Sequence, residues 1–98
     1  MRTAKFVVYN KSSSKVDSLY FMPSESNTRH YLNLEAGEEQ RYNLSMAAQS
    51  TDGAYSIIFK KGVKNVSKVF TYFSNGTAME KYTEVEILDD TLLFKPKY

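Results

Sequence analysis

The 98-residue sequence has no cysteine, no tryptophan, one histidine, two prolines and four glycines. Without cysteine there are no disulfides, thiolate zinc sites, iron–sulfur clusters or cysteine nucleophiles. A single histidine, His30, excludes His-rich metal sites and any mechanism that needs two imidazoles. No run of residues approaches the roughly 18 apolar positions of a membrane-crossing helix. The apolar stretch in Met1–Tyr9 is too short for the core of a signal peptide. The chain therefore reads as cytoplasmic by default, or as an excised domain of an exported protein. No glycine-rich phosphate loop, metal-ligand spacing or nucleophile elbow occurs, so neither an enzyme nor a cofactor is expected.

Charge of one sign is also lacking. Thirteen basic and eleven acidic residues leave a net +2. That total sets up no field that would draw nucleic acid, so any electrostatic role must come from local clustering. The length supports one domain spanning 1–98.

What the chain does contain is aromatic residues and alternation. Eight Tyr and six Phe stand in short segments where apolar and polar residues alternate, the pattern of half-buried strands. Eight strands are predicted: Ala4–Tyr9, Val16–Met22, Arg29–Leu34, Glu39–Met46, Ala54–Lys60, Ser67–Ser74, Tyr82–Leu88 and Leu92–Lys95. Pro23 closes the second, because proline has no N–H for a ladder. Glu35-Ala36-Gly37-Glu38 reads as a tight hairpin between the third and fourth. Asn75-Gly76 reads as a hairpin between the sixth and seventh. Helix evidence is confined to Leu44–Ser50, about two turns without an amphipathic stripe. Tyr9, Tyr20, Tyr31 and Tyr42 recur every eleven residues, which matches the recurrence of a strand plus a turn rather than a sequence repeat.

Alternation assigns faces. Leu32 and Leu34, then Tyr42 and Leu44, then Tyr55, Ile57 and Phe59, then Val85 and Ile87 point inward, with Glu84 and Glu86 in solvent. One-sided strands at this spacing predict an all-β, antiparallel two-sheet sandwich of seven or eight strands, immunoglobulin-like in broad layout, with a small β-barrel as the alternative. The sixth strand breaks the rule, since Val69, Thr71 and Phe73 alternate with Phe70 and Tyr72. A two-residue Asn75-Gly76 turn would set Val69 opposite Tyr82 and Val66 opposite Val85. A longer loop or one bulge near Ala78–Lys81 would invert the faces, and either way two or three apolar side chains of this strand are candidates for exposure, Phe70 and Tyr72 or else Phe73.

Candidate site residues follow from that excess. Lys60, Lys61, Lys64 and Lys68 crowd the connection between the fifth and sixth strands, next to Phe70 and Tyr72. Lysines and aromatics together suit an acidic protein patch, an anionic surface or single-stranded nucleic acid. The absence of Arg from the segment disfavours nucleic acid. Tyr9, Tyr31, Tyr72 and Tyr82 have the parity of outward residues and could anchor a protein or stack on a sugar. The acids Glu35, Glu38, Glu39, Glu84, Glu86, Asp89 and Asp90 lack the alternating spacing of a calcium loop. His30 shares parity with Leu32, at a core margin. Asn10, Asn43, Asn65 and Asn75 begin Asn-x-Ser/Thr triplets, a chance outcome in so Ser/Thr-rich a chain.

The sequence thus predicts a non-catalytic recognition module. It would bind a protein or carbohydrate surface, acidic in character, through Lys60, Lys61, Lys64, Lys68, Phe70 and Tyr72. The alternative is a small barrel for single-stranded nucleic acid or an anionic surface. A third reading is self-assembly through a sheet edge, with Leu92-Leu93-Phe94 as the apolar edge and a homo-oligomer as the product.

Overall fold

Apolar residues at every second position become inward-facing rows on eight strands. The computed structural model describes residues 3–23, 29–45, 53–73 and 81–98, with the backbone alone for 45 and 71–73. The strands are β1 (Thr3–Asn10), β2 (Val16–Met22), β3 (Leu32–Leu34), β4 (Glu39–Ser45), β5 (Gly53–Lys61), β6 (Lys64–Phe73), β7 (Tyr82–Ile87) and β8 (Leu92–Lys97). No helix occurs among the described residues. The predicted helical turn over Leu44–Ser50 falls largely outside them.

Two four-stranded sheets form, one in the order β4-β1-β7-β8 and one in the order β3-β2-β5-β6. All pairings are antiparallel except β1 with β7. This is the all-β two-sheet sandwich that the alternation predicts. Its core is a seam of rings between the layers. Phe6 of the first sheet stacks on Phe21 of the second with centroids 4.1 Å apart, and meets Tyr55 edge-on at 5.5 Å. Phe21 in turn meets Tyr42 at 5.0 Å. Val8, Leu34, Ile57, Val85 and Ile87 fill the space around them and are fully buried. Each such side chain contributes about 1.5–3 kcal/mol on removal from water.

Two expected hairpins are not formed. β3 and β4 lie in different sheets, and so do β6 and β7. The first correction has a local cause in the position of the glycine. In Glu35–Glu38 the Glu38 N–H donates to Glu35 O, and Gly37 with φ +88° occupies the third place of the turn. That is a type II geometry, which splays the flanking strands instead of pairing them. Asn10 fixes the corner, accepting from Gly37 N–H and donating its own N–H to Glu38 O. The Asn75-Gly76 dipeptide lies outside the described residues. β7 pairs with β1 and β8, so the predicted pairing of Val69 with Tyr82 is replaced.

β2 carries a bulge. Val16 and Leu19 are three residues apart, and strict alternation cannot bury both. Ser18 takes φ +54° and donates its N–H to Asn33 Oδ1 at 3.0 Å, and the register slips by one between Asp17 and Tyr20. Both apolar residues then reach the core.

Candidate functional site

The lysine segment is not a loop. β5 runs to Lys61 and β6 starts at Lys64, joined by the two-residue turn Gly62-Val63. Here the glycine stands in the second place with φ +63°, and Val63 keeps a negative φ. This is the type II′ turn, whose twist matches paired antiparallel strands. Lysine does not interrupt a ladder, so the strands extend through the basic residues and leave Val63 fully exposed at the tip.

Pairing distributes the four lysines over two faces. Lys60 stands opposite Asn65 and Asp17 on the outer side. Lys61, Lys64 and Lys68 share the side of Phe59 and Ile57, which faces the other sheet. Lys61 is only half exposed, and its Nζ donates to Leu88 O at 2.8 Å and Asp89 O at 2.6 Å. It clamps the β7–β8 turn. Lys60, Lys64 and Lys68 are exposed. The structure therefore does not gather the predicted set into one patch.

Of the rings expected open, Phe70 with Tyr72 or else Phe73, Phe70 is half-buried, and the Phe73 side chain lies outside the described residues. The register shifts between the pairs Ser56–Val69 and Tyr55–Thr71, leaving Phe70 as the extra residue of a bulge. Phe70 keeps the inward parity of Lys64, Val66 and Lys68, and the register changes only from Thr71 onward. The ring turns into the layer, stacking on Phe94 at 4.3 Å and touching Phe6 and Phe21 edge-on at 5.8 and 6.0 Å. Tyr72 pairs with Ala54 along the backbone, and its side chain lies outside the described residues. Among the described side chains of β6, the exposed apolar one is Val69, at 57%.

The outer face of the second sheet supplies a surface that the lysine count overlooked. Tyr31, 52% exposed, meets Tyr20 edge-on at 5.4 Å. Arg29 lies over the Tyr20 ring at 4.2 Å, and its Nη2 donates to Met22 Sδ. Tyr20 is opposite Ile58, and Met22 and Val69 are both opposite Ser56. These residues share the outer face of three strands, interspersed with Ser56 and Ser67, with Asp17 and Lys60 at the hairpin end. The signal in the sequence was the apolar residue at outward positions, Ile58 and Val69, and the expected tyrosine Tyr31. Tyr20 and Met22 are outward only because of the Ser18 bulge.

The outer face of the first sheet is mixed: Leu93 stands open at 41% and Val7, Tyr9 and Tyr82 are half-buried among Lys5, Arg41, Glu84 and Lys95, and Glu86 is its ion-paired centre. Glu86, expected in solvent, is 7% exposed. Lys11 Nζ at 3.1 Å and Lys95 Nζ at 2.8 Å flank its two oxygens. Those bonds hold its carboxyl below the usual range and raise the Lys95 ammonium. Tyr9 is half-buried beside it. Partial burial raises its phenol, and the nearby Glu39 and Glu84 raise it further. Asp89 accepts from Ser13 N–H and Oγ, both at 2.7 Å, which lowers its carboxyl. His30 is exposed, with its ring stacked at 3.9 Å on Tyr42. Among the described residues no group of three His, Cys, Asp or Glu could hold a metal ion. No helix among them is long and apolar enough to cross a membrane.

Asn10 is closed to modification in the folded chain. It is 1% exposed, and its Nδ2 donates to Ser14 O and Leu34 O while Oδ1 accepts from Ser12 N–H and Oγ. Asn43 and Asn65 are exposed. No protein-family model, curated protein or solved structure matches this chain.

Proposed function

We propose that the protein is a non-catalytic recognition module whose binding surface is the outer face of the β3-β2-β5-β6 sheet. The observation that carries this reading is the composition of that face. An outer sheet face is normally polar, yet here Tyr31 and Val69 stand open and Tyr20, Met22 and Ile58 lie half open between them. Aromatic and Arg side chains on such a surface are the residue types that dominate protein interfaces. A protein partner fits better than a carbohydrate. One face of Tyr20 is covered by Arg29, and Tyr31 meets it edge-on, so the rings offer no flat platform for a sugar. Immunoglobulin-like describes the layout only in the broad sense of two stacked sheets.

With Lys60 on the opposite face and Lys61 bound to Leu88 O and Asp89 O, only Lys64 and Lys68 remain along one track, which weighs against a single-stranded nucleic-acid groove. Self-assembly through β8 is opposed by its own chemistry. β8 is an edge strand of the described residues, but Pro96 lacks an N–H to offer and Lys97 is an exposed charge on the strand.

The test compares capture of proteins and of glycans by the immobilised chain and by three variants. Val69→Glu and Tyr31→Ala should each weaken a captured protein at least about tenfold, the scale of one interface anchor. Arg41→Glu, on the outer face of the other sheet, should leave it unchanged. Equal loss with Arg41→Glu, or capture of glycans alone, overturns the reading. An oligonucleotide titration at two salt concentrations checks the nucleic-acid alternative.

A further inference from the structure

The free edge of β6 is a feature distinct from the outer face. β6 pairs with β5 on one side, and among the described residues nothing pairs with the other. It is ten residues long, where a typical strand has about five or six. Its free edge is therefore a long row of N–H and C=O groups able to accept another strand.

Side chains along that edge restrict which strand fits. On the inward side Lys64 pairs across to Lys61, Val66 to Phe59 and Lys68 to Ile57. Val66 is half-buried against the core. Lys64 and Lys68 are exposed and pair with no carboxylate of the described residues, whereas Lys11, Lys15 and Lys95 each have one. A second copy of β6 laid antiparallel, Val66 on Val66, would set Lys64 against Lys68. Like charges directly opposite are unfavourable. The same spacing favours a strand of opposite charge.

We propose that the β6 edge binds an extended acidic segment of a partner protein by strand addition. The segment has the form acid-x-aliphatic-x-acid, its carboxylates opposite Lys64 and Lys68 and its aliphatic residue beside Val66. The pattern is the same read in either direction, so parallel and antiparallel approaches both satisfy it. The bulge at Phe70 ends the regular register, so the recognised stretch lies along residues 64–69.

The test uses the full chain, isotope-labelled, titrated with the peptide Thr-Glu-Thr-Val-Thr-Glu-Thr and with its counterpart carrying Lys for Glu. The acidic peptide should move the backbone amide signals of residues 64–69 and bind about tenfold more tightly than the basic one at low salt, the scale of two cross-strand charge pairs. The preference should shrink as salt rises. Charge reversal with Lys64→Glu and Lys68→Glu should invert it, and Tyr31→Ala should leave it unchanged. The proposal is overturned if neither peptide moves those signals, if both bind alike, or if the charge-reversed variant still prefers the acidic peptide. Signal changes confined to Tyr20, Tyr31 and Ile58 would overturn it in favour of the outer face.

Discussion

Replacing Phe70 by alanine tests the packing of the β6 bulge. The ring is half-buried and packs against Phe6, Phe21, Tyr55 and Phe94, the last in a parallel stack at 4.3 Å and 3°. Truncating a fully buried Phe costs about 3–5 kcal/mol. A half-buried ring loses less area but leaves Phe94 without its stacking partner. The expected cost is about 2–3 kcal/mol. For a domain of this size that lowers the melting temperature by roughly 10–15 °C. Phe70→Leu, which keeps most of the volume, should cost under about 1.5 kcal/mol. The neighbour Val69 is the control. Its side chain stands in solvent, so Val69→Ala should stay within about 0.5 kcal/mol. Urea unfolding followed by far-UV circular dichroism measures all three. If Phe70→Ala unfolds at the same urea midpoint as Val69→Ala, the ring does not pack between the sheets and the reasoning fails.

Four further outcomes are expected. Gly62→Ala should cost about 1–2 kcal/mol in urea unfolding. Nothing lies within 4 Å of the added Cβ, so the loss comes from φ +63° alone, and Gly62→Asn should recover part of it. Lys61→Met, which removes the bonds to Leu88 O and Asp89 O, should cost about 1–2 kcal/mol. By the same measurement Lys64→Gln and Lys68→Gln should stay within about 0.5 kcal/mol. Asn10→Ala strands the buried Leu34 carbonyl and removes the acceptor of the Ser12 N–H, and should lower stability by about 2–3 kcal/mol, read from the thermal midpoint. Stability against pH should fall on the acid side. Glu86 and Asp89 titrate lower folded than unfolded, so their contribution is complete above the ordinary carboxylate range near about 4 and is lost as pH drops through their lowered values; Glu86→Gln should flatten that limb.

Much of the fold was legible because burial in a sheet imposes a period of two. Tyr42 and Leu44, Tyr55 through Phe59, and Val85 with Ile87 are all where alternation puts them. Pairing was less legible, because a turn sequence constrains only its own few residues. Glu35-Ala36-Gly37-Glu38 and Lys61-Gly62-Val63-Lys64 both hold a glycine between charged residues. In the first the glycine comes third and the chain changes sheet, and in the second it comes second and the strands pair. That one-place difference was visible in the sequence, and it carries a physical meaning in the sign of the local twist. Glu86 was read as solvated because nothing along the chain brings Lys11 to it. The parallel pairing of β1 with β7 does so, across 75 positions of sequence.

The site was harder to read than the fold for a related reason. Parity arguments hold only between bulges, and both bulges fall on the strands that build the candidate surface. Ser18 moves Tyr20 and Met22 outward, and the bulge at Phe70 breaks the register for the residues beyond it, while the Phe70 ring keeps the inward side of Val66 and Lys68. Before the bulge in β6, alternation puts Lys64, Val66 and Lys68 on the inward side, and the pairing agrees. An inward lysine on an edge strand serves against aggregation, since it costs little in solvent and much when another apolar strand tries to close over it. The same charge that rejects an apolar or basic strand lowers the cost of an acidic one. Protection of the edge and selection of a partner are therefore one property of Lys64 and Lys68, and substituting either should weaken both together.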